Sequence, residues 1–238
     1  MGHLDDLLPP RAPTADQPLA GLTLLLVEDS RLASEGVRLL CRRSGARLRR
    51  ADSLATAERH LRGYRPDVAL VDLHLPDGSG LDLIAGLARA TPRLDMILGL
   101  SGDDALAPAA HAAGADGFLP KPLGLAAFQA ALLARLPASR QPPARRPLPQ
   151  AEPRPDATAL REDLAQAARL LDGDSAYAAR FLQGVARAAG DRALARAAEA
   201  ATRGTPPALA LLREAVATRL APAARPWDGD SPAPRSTP

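Results

Sequence analysis

Residues 22–30 read LTLLLVEDS. From Leu22 to Val27 the run is apolar, broken only by Thr23, and it stops abruptly at Glu28 and Asp29. A short unbroken apolar run suits a strand buried on both faces, as in the middle of a parallel sheet. Ser30 has the side chain to cap a following helix, which would carry Leu32, Val37, Leu39, Leu40 and Cys41 and end at Gly45. The same unit recurs downstream. Arg47 to Arg50 reads as a polar edge strand, and Ser53 opens a helix that ends at Gly63. Val68 to Val71 is a buried strand ending at Asp72, with a helix over Leu81 to Leu87. Met96 to Leu100 is another, ending at Ser101, followed by an Ala-rich helix over 102–113. Pro108 lies inside that helix and predicts a kink. Gly117 to Leu119 ends just before Lys121, and Pro122 opens a last helix through Phe128, Leu132 and Leu136. Five such units with short loops predict an α/β fold, a doubly wound, five-stranded open parallel sheet with helices on both faces.

Sheets of this kind bind ligands at the carboxyl ends of their strands. Glu28, Asp29, Asp72, Ser101 and Lys121 all fall at or just past such ends, so the fold would gather them on one rim. Three carboxylates repel one another and call for a hard divalent cation with oxygen ligands, Mg²⁺ above all. Asp72, central on the rim, is the natural nucleophile for an acyl phosphate. Ser101 offers a hydroxyl for a phosphoryl oxygen, and Lys121 a compact positive charge. The chain has 30 Lys plus Arg, yet its one lysine is Lys121. Each residue alone is a weak signal, since Asp after a strand is usually a turn residue and Ser a helix cap. Their occurrence in order, each at its own strand end, is the specific feature.

Four segments carry a family resemblance: LLLVEDS at 24–30, VDLHLPDGSG at 71–80, LGLSG at 98–102 and GADGFLPKP at 114–122. Residues 22–136 resemble the receiver domain of two-component response regulators. The resemblance implies a flavodoxin-like fold and a phosphoryl group on Asp72, donated by a histidine kinase or a histidine phosphotransfer protein. It implies Glu28 and Asp29 as the acidic pair around Mg²⁺, with Asp72 and the backbone carbonyl of His74 completing the protein's metal contacts. It matches Ser101 and Lys121 to the hydroxyl and lysine of the switch, Phe118 to the aromatic switch position, and Pro122 to a proline that usually follows a cis peptide. Ser101 stands where Thr is commoner, and Phe118 lacks the hydroxyl of the more frequent Tyr. A phosphorylation-dependent dimer is compatible with the resemblance, although Pro108 works against the surface usually used for it.

The rest of the chain reads as linkers and helices. Of the 238 residues, 24 are Pro, and they cluster. Residues 1–20 and 221–238 read as flexible tails, and 137–156 (PASRQPPARRPLPQAEPRPD) as a semi-extended linker between a receiver at 21–136 and a second block at 157–220. Leu160, Leu164, Ala167 and Leu171 keep helical spacing, as do Tyr177, Phe181 and Val185, and again Leu209, Leu212, Val216 and Leu220. A small all-α bundle follows from that pattern. No histidine occurs after His111, so the bundle cannot itself be a histidine phosphotransfer domain. His3, His60 and His111 show no metal-ligand spacing, and the His74 ring should face solvent. Residues 151–238 hold 12 Arg and 11 acidic residues, a poor balance for a DNA phosphate surface.

The reading is therefore a response regulator that switches a protein–protein interaction, not an enzyme beyond its own phosphorylation and dephosphorylation. Two alternatives are a DNA-binding regulator using the C-terminal helices and a phosphoryl sink with no output. Cys41 alone cannot form an intramolecular disulfide, and no run approaches the roughly 18 apolar residues of a membrane span. With no basic, apolar leader at its start, the chain reads as cytoplasmic.

Overall fold

The computed structural model describes residues 12–144 and 156–221. Its strands are β1 (Thr23–Val27), β2 (Arg47–Ala51), β3 (Val68–Asp72), β4 (His74–Leu75), β5 (Gly78–Ser79), β6 (Met96–Ser101) and β7 (Gly117–Pro120). Five of them form one parallel sheet in the order β2-β1-β3-β6-β7, while β4 and β5 pair as a small antiparallel hairpin just after Asp72. The helices α1 (Arg31–Ser44), α2 (Leu54–Gly63), α3 (Gly80–Arg89), α4 (Ala107–Ala112) and α5 (Leu125–Leu133) connect them.

The continuous apolar runs are explained by burial on both sides. In β1, Leu24 and Leu26 face one core with Val37, Leu40, Cys41, Phe128 and Leu132, while Leu25 and Val27 face the other with Ile84 and Leu87. β3 and β6 alternate in the same way. Only the outer strand β2 is polar, with Arg47 and Arg49 exposed. Phe128 and the β1 leucines are wholly buried, each such side chain contributing about 1.5–3 kcal/mol by leaving water.

Three local expectations need correction. Pro108 does not kink a helix: residues 104–106 form a 3₁₀ turn, and α4 starts afresh at Ala107 with Pro108 in its first turn, where a missing N–H leaves nothing unpaired. Pro122 does not open the last helix. Gly124 is still extended, α5 begins at Leu125, and the helix ends at Leu133, short of Leu136, which precedes Pro137. Nor is 1–20 wholly a tail, because Leu19 is fully buried in the core and its N–H bonds to the Ser44 carbonyl (2.8 Å), closing the base of the sheet. Residues 1–11 of that tail lie outside the described residues, as do 145–155 of the linker and 222–238 of the second tail. The start of the linker is packed as well: Arg140 pairs with Asp67 at 2.7 Å, and the Gln141 amide donates to the Leu136 carbonyl.

Beyond it, α6 (Ala157–Leu170), α7 (Ser175–Ala188), α8 (Arg192–Ala201) and α9 (Pro206–Leu220) form a four-helix bundle. Asp156, Asp174 and Asp191 cap the first three, and Pro206 and Pro207 start the fourth. Leu164, Phe181, Leu182, Leu194, Leu212 and Val216 fill its core. Arg219 closes α9 onto the start of α8 through two contacts with Asp191, at 2.5 and 3.0 Å. The bundle is not separate from the sheet domain. Its α6 and α7 pack on α1, and Leu32 of α1 belongs to the bundle's core rather than to the sheet's.

Candidate functional site

Parallel register brings the strand ends level. Val27 lies beside Val71, Asp72 beside Leu100, and Ser101 beside Pro120, so the residues that follow share one rim. Ligand oxygens of Glu28, Asp29 and Asp72 all lie within 4.8 Å of one another, and the three residues are buried. Lys121 reaches back between two of them. Its Nζ donates to Asp72 Oδ2 at 2.8 Å and makes a close ion pair with Glu28.

The backbone holds two of the three carboxylates. The His74 N–H donates to Asp72 Oδ1 at 3.2 Å, and the Ser30 N–H to Glu28 Oε1 at 3.2 Å. Arg50 holds the main chain beneath them, donating to the carbonyls of Glu28 (3.2 Å) and Asp29 (2.8 Å). Gly80, the first residue of α3, has to be small, because a Cβ there would lie 1.9 Å from the Asp72 carbonyl oxygen. Ser101 is buried and its Oγ accepts the Asp103 N–H at 3.1 Å, which leaves the hydroxyl proton to be donated.

Electrostatics follow from this crowding. Burial, with Lys121 opposing it and the charges of Asp72 and Asp29 adding to it, pushes Glu28 up to about 8. Burial also pushes Asp29 up to about 6, against a hydrogen bond from Tyr177 and with Asp72 adding to the rise. For Lys121, burial opposes the charge, but Asp72 and Glu28 outweigh it and hold the ammonium above its ordinary range. Glu28 Oε2 is the informative atom. It is buried, and the partner it meets is the Lys121 ammonium. A buried carboxylate oxygen beside two further carboxylates is a donor set compatible with a hard cation.

The other residues singled out in the sequence divide. Phe118 is half-buried, packed against the far core beside Gly99, and the Lys121–Pro122 peptide is cis. The His74 ring is exposed. His111 Nδ1 lies 3.2 Å from the Ala115 carbonyl, His60 is half-buried on α2, and His3 is outside the described residues.

Two residues of the site were not legible as such. Tyr177, read as part of an apolar stripe, donates its hydroxyl to Asp29 Oδ2. Asp163, in the middle of α6 and 0% exposed, accepts bonds from Ser30 Oγ (2.7 Å), Arg31 N (2.8 Å) and Leu32 N (3.0 Å). The one hint for Tyr177 was that a buried phenol needs a partner. For Asp163 there was none, as its partners lie more than 130 positions away. Between the two halves lies a cavity of about 560 Å³, with Asp72, Ser101 and Lys121 on one wall and Tyr177, Arg180 and Arg187 on the other.

Comparison with known proteins covers the sheet domain. Residues 24–133 match the response regulator receiver domain. The chain is 31% identical over 109 residues to the KDP operon transcriptional regulatory protein KdpE of Escherichia coli, covering 46% of this chain and 48% of that one. It is 34% identical over 106 residues to the probable transcriptional regulatory protein TcrX of Mycobacterium tuberculosis, covering 44% and 45%. Among solved structures, a CheY-like response regulator receiver domain from Methylobacillus flagellatus is 29% identical, with a TM-score of 0.44, covering 48% of this chain and 98% of that one. The chain spans about half the length of the two curated relatives named. Among the described residues no helix is long and apolar enough to cross a membrane.

Proposed function

We propose, from the match of residues 24–133 to the response regulator receiver domain, that Asp72 is the phosphoacceptor of a phosphorelay protein whose output is a protein–protein interaction. One observation carries the reading: three buried carboxylates converge with a lysine that bridges Asp72 and Glu28. Glu28, Asp29 and Asp72, together with the His74 carbonyl, would hold Mg²⁺. Bound there, the cation would neutralise the carboxylates and the oxygens of an incoming phosphoryl group.

The protein's own part is positioning and charge. A carboxylate oxygen of Asp72 attacks the phosphorus of a phosphohistidine on a kinase or phosphotransfer protein. The new O–P bond forms as the N–P bond breaks, and the leaving imidazole takes a proton from solvent. Lys121 moves from pairing with a carboxylate to pairing with the aspartyl phosphate. Ser101 donates its free hydroxyl proton to a phosphoryl oxygen, and Phe118, without a hydroxyl, passes the change on through packing alone. Beyond forming and losing its own aspartyl phosphate, the protein does no catalysis in this reading.

For the output, protein contact is favoured over DNA because the C-terminal region has a near-even charge balance. A cytoplasmic location, beside the donor kinase, goes with this reading. The test is intact mass after incubation with Mg²⁺ and acetyl phosphate. Wild type should gain one phosphoryl group and Asp72→Asn none. Equal gain by both would remove Asp72 from the role, and no gain by wild type from acetyl phosphate or from phosphorylated kinases would end the reading.

A further inference from the structure

Besides packing along α1, the bundle reaches the rim of the sheet domain at several points. Asp163 caps α1 immediately after the acidic pair, taking three hydrogen bonds from Ser30, Arg31 and Leu32. Tyr177 spends its hydroxyl on Asp29. Arg187 donates to the carbonyl of Gly102, the residue after Ser101. Arg31 and Glu162 pair at 3.2 Å along the outer margin, and Leu32 is seated in the bundle's core. These contacts flank the cleft through which Asp72 is reached, and the family match ends before the bundle begins.

We infer that the four-helix bundle is a cover in cis over the phosphoacceptor cleft, and that cation and phosphoryl uptake require it to lift. Two physical conflicts support this. An Asp29 oxygen that accepts the Tyr177 proton is less available to a cation, so phenol and metal compete for one carboxylate. A protein donor must also bring its histidine to Asp72 through the cleft whose far wall is Tyr177, Arg180 and Arg187 on α7. The contacts suit a reversible seat: of the five attachments named, four are polar, and Leu32 supplies the large apolar one. Inter-domain contacts of this polar character favour relative motion.

The inference rests on Asp72 being the phosphoacceptor, and its test separates the two. The full chain and its Tyr177→Phe variant are titrated with Mg²⁺ alone by calorimetry. Hydrogen exchange is then followed at the amides of Arg31 and Leu32, before and after Mg²⁺ and acetyl phosphate. The variant, which keeps the ring and loses only the hydroxyl, should bind Mg²⁺ about tenfold more tightly, the worth of about one charge-assisted hydrogen bond. In wild type, exchange at Arg31 and Leu32 should accelerate at least about tenfold once the cleft is engaged. Equal Mg²⁺ affinity in the two forms overturns the competition at Asp29. Unchanged protection at Arg31 and Leu32 in the fully phosphorylated protein overturns the cover. If neither form takes up a phosphoryl group, the Asp72 reading has failed, and exchange with saturating Mg²⁺ alone decides the cover.

Discussion

Replacing Asp163 by alanine should unseat the start of α1. Its carboxylate is wholly buried and accepts three bonds of 2.7–3.0 Å. Hydrogen bonds to a charged group contribute about 1.5–3 kcal/mol each. Against them stands desolvation: burial holds the Asp163 carboxyl above its usual range even though Leu32, Ser30 and Arg31 all donate to it. A buried ion costs several kcal/mol, so the net is far below the sum of the three bonds. In the variant, Ser30 Oγ still caps the Ala33 N–H at 3.0 Å, and the Arg31 amide can find water. The buried Leu32 N–H is left without a partner, at about 1–3 kcal/mol, and a helix cap is lost at about 1 kcal/mol. The expected destabilisation is therefore about 2–4 kcal/mol, or a Tm lower by about 4–16 °C for a chain of this size. Asp163→Asn, keeping one acceptor but turning an NH₂ toward a donor, should fall between. Circular dichroism melts measure the first quantity, and amide exchange at Arg31 and Leu32 locates it. A melt within 1 °C of wild type, or a lower one with both amides still protected, would refute the reasoning.

Two further outcomes follow from the rim. Glu28 at about 8 and Asp29 at about 6 are acids raised by burial, so the folded protein holds protons there that the unfolded chain releases. Their contribution to stability is full below the ordinary carboxylate range and is lost as pH rises through about 6 and about 8. A cation needs the ionised forms, so the rise in Tm caused by Mg²⁺ should be larger at pH 8.5 than at pH 5.5; equal increments at both would contradict the assignment. Gly80→Ala, whose Cβ would collide with the Asp72 main chain, should lower stability by about 1–3 kcal/mol and slow acetyl phosphate uptake at least about tenfold. Normal uptake would mean that the loop yields without moving Asp72.

Much of this was written in local pattern. The unbroken apolar runs at Leu24–Val27 and Val68–Val71 announce two-sided burial, and the switch from apolar to acid at Glu28 and Asp72 marks where each strand stops. What local pattern does not carry depends on distance along the chain or on the position of a residue within its turn. Pro108 signals a break, but sequence does not say whether it falls inside a helix or at the start of one. Leu19 reads as part of a Pro-rich tail because its partners, Ser44 and the base of the core, come later in the chain. Tyr177 fits an apolar stripe equally well whether its hydroxyl meets solvent or Asp29. The apolar periodicity of the second block is satisfied by the bundle's own core, and nothing in that period tells which outer face rests on α1.

The solitary lysine has a practical consequence. Because Lys121 lies between Glu28 and Asp72 and the sequence has no second lysine, ¹⁵N-lysine labelling gives a single lysine side-chain ammonium resonance, and it belongs to the group that pairs with both carboxylates. Cation arrival, phosphoryl arrival and movement of the helices overhead would each change the same isolated signal, so the protein carries its own spectroscopic reporter without any engineered probe.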